Sequence, residues 1–188
     1  MDNKLRRREF MKGAAAGALT ITVGGGVDAF LAARAAHAQA MPFRVFTADE
    51  AGTIEALGDT LVPGARSAGV AHFVDHQLTL PPGEALLEAR ILNIRPPFVD
   101  FYRAAISAVD KASQARHSLR FAQLNAAQQH DVVDLMRQAR IDGWQGPPGP
   151  LVYMVTRSDA VDVVYGTMEG YAALGIPYMP HIAPKQRW

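Results

Sequence analysis

The stretch TADEAGTIEALGDTLVPGARSAGVAHFVDHQL, residues 47–78, decides the fold. Thr47 followed three residues later by Glu50 forms a capping box, which is typical of a helix start. Apolar and small residues then recur at helical spacing and predict a helix over 48–62: Ala51, Ile54, Leu57, Gly58 and Leu61. Pro63-Gly64 ends that helix, and Gly69-Val70 begins a second one, so the stretch predicts two consecutive helices.

The rest of the chain repeats this pattern. Residues 84–94 predict a short third helix, and the apolar spacing after Phe98 predicts a fourth. Asn125 and Gln128 repeat the capping-box pattern at the start of a fifth helix. A sixth helical pattern covers 151–174, in which Gly166 and Gly170 argue against one straight helix. No strand alternation occurs, so residues 41–188 predict an irregular all-α domain.

Residues 176–188 differ from the helices before them. Their prolines lack the backbone donor that a helix needs, so we expect an extended C-terminal arm. Aromatic and soft side chains concentrate towards this end and are candidates for partner binding, because such residues are enriched at interfaces: Tyr165, Tyr171, Tyr178, Met179, His181 and Trp188. The alternative is that they fill the domain's own core.

The N-terminus predicts an export signal. Arg7 and Arg8, followed by Phe10 and Lys12, fit a twin-arginine motif, and a mildly apolar stretch over 13–27 follows. Ala36-His37-Ala38 and Ala38-Gln39-Ala40 both offer small-x-small cleavage sites. We therefore expect residues 1–40 to be a cleaved leader, recognised by the twin-arginine translocon, and the protein to be periplasmic.

A membrane anchor is the alternative for this segment. The apolar run is shorter than the roughly 20 residues that span a bilayer. Asp28 would also cost about 2.5–3.5 kcal/mol near the membrane centre. The sequence also leaves open a second alternative, in which the signal is not cleaved and remains as a tether.

Composition excludes several classes of protein. The chain has no cysteine, which excludes disulfides, thiolate nucleophiles, iron–sulfur ligation and covalent haem attachment. The leader holds 6 of the 19 basic and 3 of the 18 acidic residues, so the remainder has 13 basic and 15 acidic residues, or −2. This balance gives no support to nucleic-acid binding.

Few residues suggest chemistry. His72 and His76 share a helix face and could bind a metal, but the spacing supplies no third ligand, so we predict no metal site. Asp59, near a helix end, is either a catalytic base or an acceptor that ties down the following loop, and the loop role is favoured. Neither a G-x-S-x-G elbow nor a dinucleotide motif occurs, so we predict no catalytic or cofactor-binding residue.

Four segments together resemble a known family. ALGDTLVPG (56–64), AGVAHFVDHQL (68–78), DGW (142–144) and YGTMEGYAALGIPYMPHIAPKQRW (165–188) are similar to the gluconate 2-dehydrogenase subunit 3 family. Its members are the small subunits of membrane-bound, FAD-dependent sugar and sugar-acid dehydrogenases. Gly146-Pro147-Pro148-Gly149 stands where the family commonly has a Y-G-G-N pattern.

The resemblance implies an accessory role. It implies that FAD lies in a large subunit without its own signal, and that this chain is a non-catalytic partner that carries the export leader for both. Electrons in such complexes commonly pass to a membrane-bound cytochrome c subunit that holds haem c, which would place the complex at the periplasmic side of the inner membrane. The alternative is a stand-alone periplasmic helical metalloenzyme that uses His72 and His76.

Overall fold

The computed structural model describes residues 26–176, which contain eight α-helices and no strand. The helices are α1 Gly26–Ala38, α2 Ala48–Leu61, α3 Val70–Gln77, α4 Glu88–Ile91, α5 Phe98–His117, α6 Ala126–Arg137, α7 Gly149–Tyr165 and α8 Met168–Ala173, with a 3₁₀ turn at Phe121–Gln123. The all-α prediction is confirmed for this part of the chain. The twin-arginine residues and the arm from residue 177 onwards lie outside the described residues.

The two predicted capping boxes are both present. The Thr47 hydroxyl accepts the Glu50 N–H at 3.2 Å, and the Glu50 carboxylate accepts the Thr47 N–H at 2.8 Å. Asn125 and Gln128 exchange the equivalent bonds at 3.0 and 3.1 Å. Each pair satisfies two backbone donors that a helix start leaves without partners, so α2 and α6 begin where the sequence predicts.

Two predicted helices differ from those observed. The third was expected over 84–94, but α4 covers only Glu88–Ile91 because the buried Gln77 side chain accepts the Leu86 N–H at 2.7 Å and holds the preceding loop. The pattern over 151–174 forms two helices. Thr167 begins α8 by accepting the Gly170 N–H at 3.1 Å, which separates α8 from α7 after Gly166.

The core lies between α2, α3, α5, α6 and α7. Helix α2 packs against the other four, and α7 also packs against α1, α3 and α4. Burial of apolar surface is the main stabilising term in such a core, at roughly 25 cal/mol per Å². The largest fully buried apolar side chains are Tyr102, Phe73, Phe121, Ile54, Leu57, Leu87 and Met136.

Helix α1 packs directly on this domain. Phe30 is buried, and its ring lies 5.3 Å from the Phe73 ring. Gly69 adopts a left-handed φ of +81°, and a Cβ there would lie 2.3 Å from the Ala33 carbonyl oxygen. A Cβ on Gly166 would lie 2.5 Å from the Phe30 ring. Two glycines therefore permit the close approach of a helix that belongs to the predicted leader.

We expect Gly69→Ala to destabilise the full chain more than Gly64→Ala. Both glycines have a left-handed φ, +81° and +96°, which costs an alanine about 1–2 kcal/mol. Only at Gly69 would the added methyl collide with α1, whereas nothing lies within 4 Å at Gly64. Urea unfolding of both variants measures the difference. Equal losses of unfolding free energy would contradict the observed packing of α1.

Candidate functional site

Two of the predicted partner-binding residues, Tyr165 and Tyr171, lie in the described part of the chain, at its C-terminal end. Tyr165, at the end of α7, is partly buried and packs against the domain's own core. Tyr171, on α8, is partly exposed. Tyr178, Met179, His181 and Trp188 lie outside the described residues. Tyr165 thus belongs at least partly to the core, and the interface role of the remaining residues stays a prediction.

Exposed apolar side chains surround this end. Met168 and Leu174 lie at the two ends of α8 and Ile176 lies after it, and each of these side chains is at least half exposed. Helix α8 is also tied to α1 through an ion pair between Arg34 and Glu169 at 2.7 Å. Residue type alone pointed to the aromatic side chains of this end and gave no signal for these aliphatic and thioether side chains. We call Met168, Leu174 and Ile176 the C-terminal apolar surface.

A buried carboxylate, Asp159, lies beneath α4. The Tyr102 hydroxyl donates to one of its oxygens at 2.5 Å, and the Glu88 N–H donates to the other at 3.0 Å. Burial raises the pKa of Asp159 to about 7, because the two hydrogen bonds that favour its ionised form do not offset the loss of water. Burial and the nearby Asp159 carboxylate also raise the pKa of Tyr102.

Asp162, one turn further along α7, has a similar environment. Burial, and then the negative charge of Glu88, raise its pKa to about 6. Three acidic side chains with two raised pKa values can mark a functional site. Here the hydrogen bonds of Asp159 join α4, α5 and α7, so the role of Asp159 is structural.

The two histidines of the predicted helix pair lie in different environments. The Nε2 of His72 donates to the Met41 carbonyl at 3.0 Å, and its ring lies 4.4 Å from that of Phe43. For His76, burial and then the Arg44 cation lower the pKa, although Asp75 opposes them. His72 and His76 line one cleft of about 60 Å³, far smaller than the roughly 300–1,000 Å³ of a drug-sized ligand site.

The structure groups His72 with residues that sequence reasoning did not consider. One potential ligand atom from each of His37, Glu55 and His72 lies within 4.8 Å of those of the other two. Within residues 26–176, His76 belongs to no such group. His37 was missed because it was assigned to the leader, and Glu55 because a single glutamate on a helix carries no signal of its own.

The carboxylates of two aspartates, Asp59 and Asp75, accept hydrogen bonds from backbone N–H groups. Asp59 accepts the N–H groups of Gly64 and Arg66 at 3.0 and 3.1 Å, which confirms the predicted loop role. Asp75, one residue before His76, accepts three backbone N–H groups at 2.8 to 2.9 Å. It therefore has a structural role.

The described residues define an all-α domain with an apolar surface at its C-terminal end. No helix within residues 26–176 is both long and apolar enough to cross a membrane. The chain belongs to the gluconate 2-dehydrogenase subunit 3 family, whose sequence profile matches residues 48–181. Its members are subunits of dehydrogenase complexes and partner other subunits of those complexes. No curated protein and no solved structure matches the chain.

We expect Asp159 to make stability pH-dependent. The folded state holds a proton on Asp159 up to about pH 7, whereas the unfolded chain releases it near 3.8. The contribution of this group to the free energy of unfolding therefore falls as pH rises from about 4 to about 7, by roughly 4 kcal/mol, and is constant above that range. Asp159→Asn keeps an acceptor for Glu88 and should flatten this slope.

The matched control is Asp142→Asn, because Asp142 is exposed. Urea unfolding of both variants and the parent between pH 4 and 8 makes the comparison. A slope in Asp159→Asn as steep as that of the parent would show that Asp159 does not hold the proton.

Proposed function

We propose that this chain is the non-catalytic small subunit of a periplasmic, FAD-dependent sugar, polyol or sugar-acid dehydrogenase. It stabilises the FAD-containing large subunit and escorts it, folded, through the twin-arginine translocon. The observation that carries this proposal is the family match over residues 48–181 on a chain that also begins with a twin-arginine motif. A leader for folded export on an accessory subunit suits a partner that must acquire its flavin before it leaves the cytoplasm.

The C-terminal apolar surface supports the association. Met168 is 63% exposed, and Leu174 and Ile176 are about half exposed. Apolar side chains left in water at the start of a Pro-containing arm favour a partner that covers them, and methionine is enriched at interfaces. The large subunit is the partner that family membership supplies. We place the arm, with Tyr178 and Met179 at its centre, on that subunit.

In such a complex the redox chemistry lies in the other subunits. FAD belongs to the large subunit, and electrons leave through a cytochrome c subunit or a membrane acceptor. The chain cannot attach haem c covalently, because it has no cysteine. Its own contribution is therefore to association, stability and export, at the periplasmic side of the inner membrane.

The escort role predicts that replacing both Arg7 and Arg8 with lysine strands both subunits in the cytoplasm. The paired guanidinium groups form a recognition geometry that ammonium groups do not copy. The two subunits are coexpressed, and periplasmic dye-linked dehydrogenase activity and large-subunit protein are measured. Omission of the small subunit provides the reference. Unchanged periplasmic activity in either case would refute the escort role.

The C-terminal apolar surface leads to a second prediction, on the affinity for the large subunit. Met168→Ser combined with Leu174→Ser should raise the Kd for the large subunit at least about tenfold, as expected for anchor residues of an interface. Leu119→Ser is the matched control, since Leu119 is 42% exposed but lies between α5 and the 3₁₀ turn. Deletion of residues 177–188 should also weaken association more than it lowers the melting temperature of the isolated subunit. Equal Kd values for the double variant and the control would place the interface elsewhere.

A further inference from the structure

Three helices each contribute one potential metal ligand at a single point. His37 lies at the end of α1, Glu55 in the middle of α2 and His72 at the start of α3. The Nδ1 atom of His37 is 3.5 Å from a carboxylate oxygen of Glu55. Ligand atoms around a tetrahedral zinc ion lie about 3.4 Å apart, as follows from metal–ligand bonds of about 2.0–2.1 Å. This pair therefore already has the separation of two ligands.

The third group, His72, is prepared for coordination through one nitrogen. Its Nε2 must carry the hydrogen, because the Met41 carbonyl that it contacts at 3.0 Å can only accept. The Nδ1 atom is buried and has no hydrogen-bond partner among the described residues. A histidine ligand usually has its other ring nitrogen bonded to a carbonyl or carboxylate, which orients the ring. The Met41 carbonyl supplies this contact.

We propose that His37, Glu55 and His72 form a binding site for a divalent metal ion of the zinc class. Two imidazoles and one carboxylate favour zinc over magnesium, which prefers oxygen ligands. One potential ligand atom from each residue lies within 4.8 Å of those of the other two, so contraction to zinc distances requires shifts of at most about 1.5 Å. His37 and Glu55 are partly exposed, with 29% and 19% of their side-chain surface accessible, and can make such shifts.

The site has a physical consequence for the fold. A metal ion bound by one residue from each of α1, α2 and α3 links these helices as a cross-link would. Because the unfolded chain does not hold the three ligands together, binding stabilises the folded state. The site fastens α1, whose other contacts include the apolar packing of Phe30 and the Arg34–Glu169 ion pair. This inference does not depend on the proposed dehydrogenase role.

The test uses the untagged full chain, stripped of metal with EDTA and titrated with Zn²⁺ against a chromogenic chelator. We expect one equivalent to bind and the melting temperature to rise with Zn²⁺ but not with Mg²⁺. His37→Asn, Glu55→Gln and His72→Ala should each weaken Zn²⁺ binding at least about tenfold. His76→Ala is the matched control, because it removes an imidazole one turn further along the same helix and should leave the affinity unchanged.

Several results would overturn the site. One is the absence of stoichiometric Zn²⁺ binding, which would leave His37 and Glu55 as an ordinary ion pair. Another is an unchanged affinity in both His37→Asn and Glu55→Gln. A loss in His76→Ala as large as that in His72→Ala would indicate the His72–His76 pair instead. Should His72→Ala fail to fold by circular dichroism, the two variants at partly exposed positions decide the outcome.

Discussion

The carboxylate of Asp75 fixes the path by which the chain enters its core. Its two oxygens accept the N–H groups of three consecutive residues, Arg44, Val45 and Phe46. A buried carboxylate is costly unless it is hydrogen-bonded, and here three donors satisfy it. Thr47 follows immediately and begins α2. Because Asp75 lies on α3, one side chain sets the position of the α1–α2 connection relative to α3, and with it the point where His37 meets His72.

Two other carboxylates join distant segments in a similar way. Asp110 on α5 accepts from the Thr53 hydroxyl of α2, the Arg120 guanidinium and the Phe121 N–H at 3.1–3.3 Å. Asp159 on α7 joins α5 and α4. Arg120 supplies Asp110 with a positive charge at 3.0 Å, whereas Asp159 has neutral donors only, and burial raises the pKa of Asp159 to about 7. In a chain without cysteine, these contacts are among the side-chain links between helices.

The sequence predicted local features of the fold well. The starts of α2 and α6 depend on residues three positions apart, and the loop after α2 depends on Asp59 only five to seven residues away. The break after Gly166 was indicated by the glycine itself. Short-range hydrogen bonds and backbone preferences determine all of these, so a single sequence contains the necessary information.

The candidate metal site could not be predicted in this way. His37, Glu55 and His72 meet only because Asp75 and Gly69 bring α1 and α2 against α3, and such contacts are not encoded in residue spacing. Residue spacing suggested the histidine pair His72 and His76, which lie on the same helix. Of these two, His72 alone belongs to the group of potential ligands. A resemblance to a family gave the functional class, and it could not give this site either, since the family match begins after His37, at residue 48.

Helix α1 packs on the folded domain, so removal of the predicted leader would affect that domain. Cleavage at either small-x-small site would separate residues 26–38 from the domain that they pack on, together with His37. It would uncover the Phe73 ring and the flat surface that Gly69 and Gly166 provide, and exposed apolar area costs roughly 25 cal/mol per Å². A mature subunit without α1 therefore requires another cover for this surface, whereas one that keeps α1 carries its own. In the sequence, this helix thus lies between the predicted export motif and the core, and its contacts determine how much of the predicted leader the folded protein can lose without exposing that core.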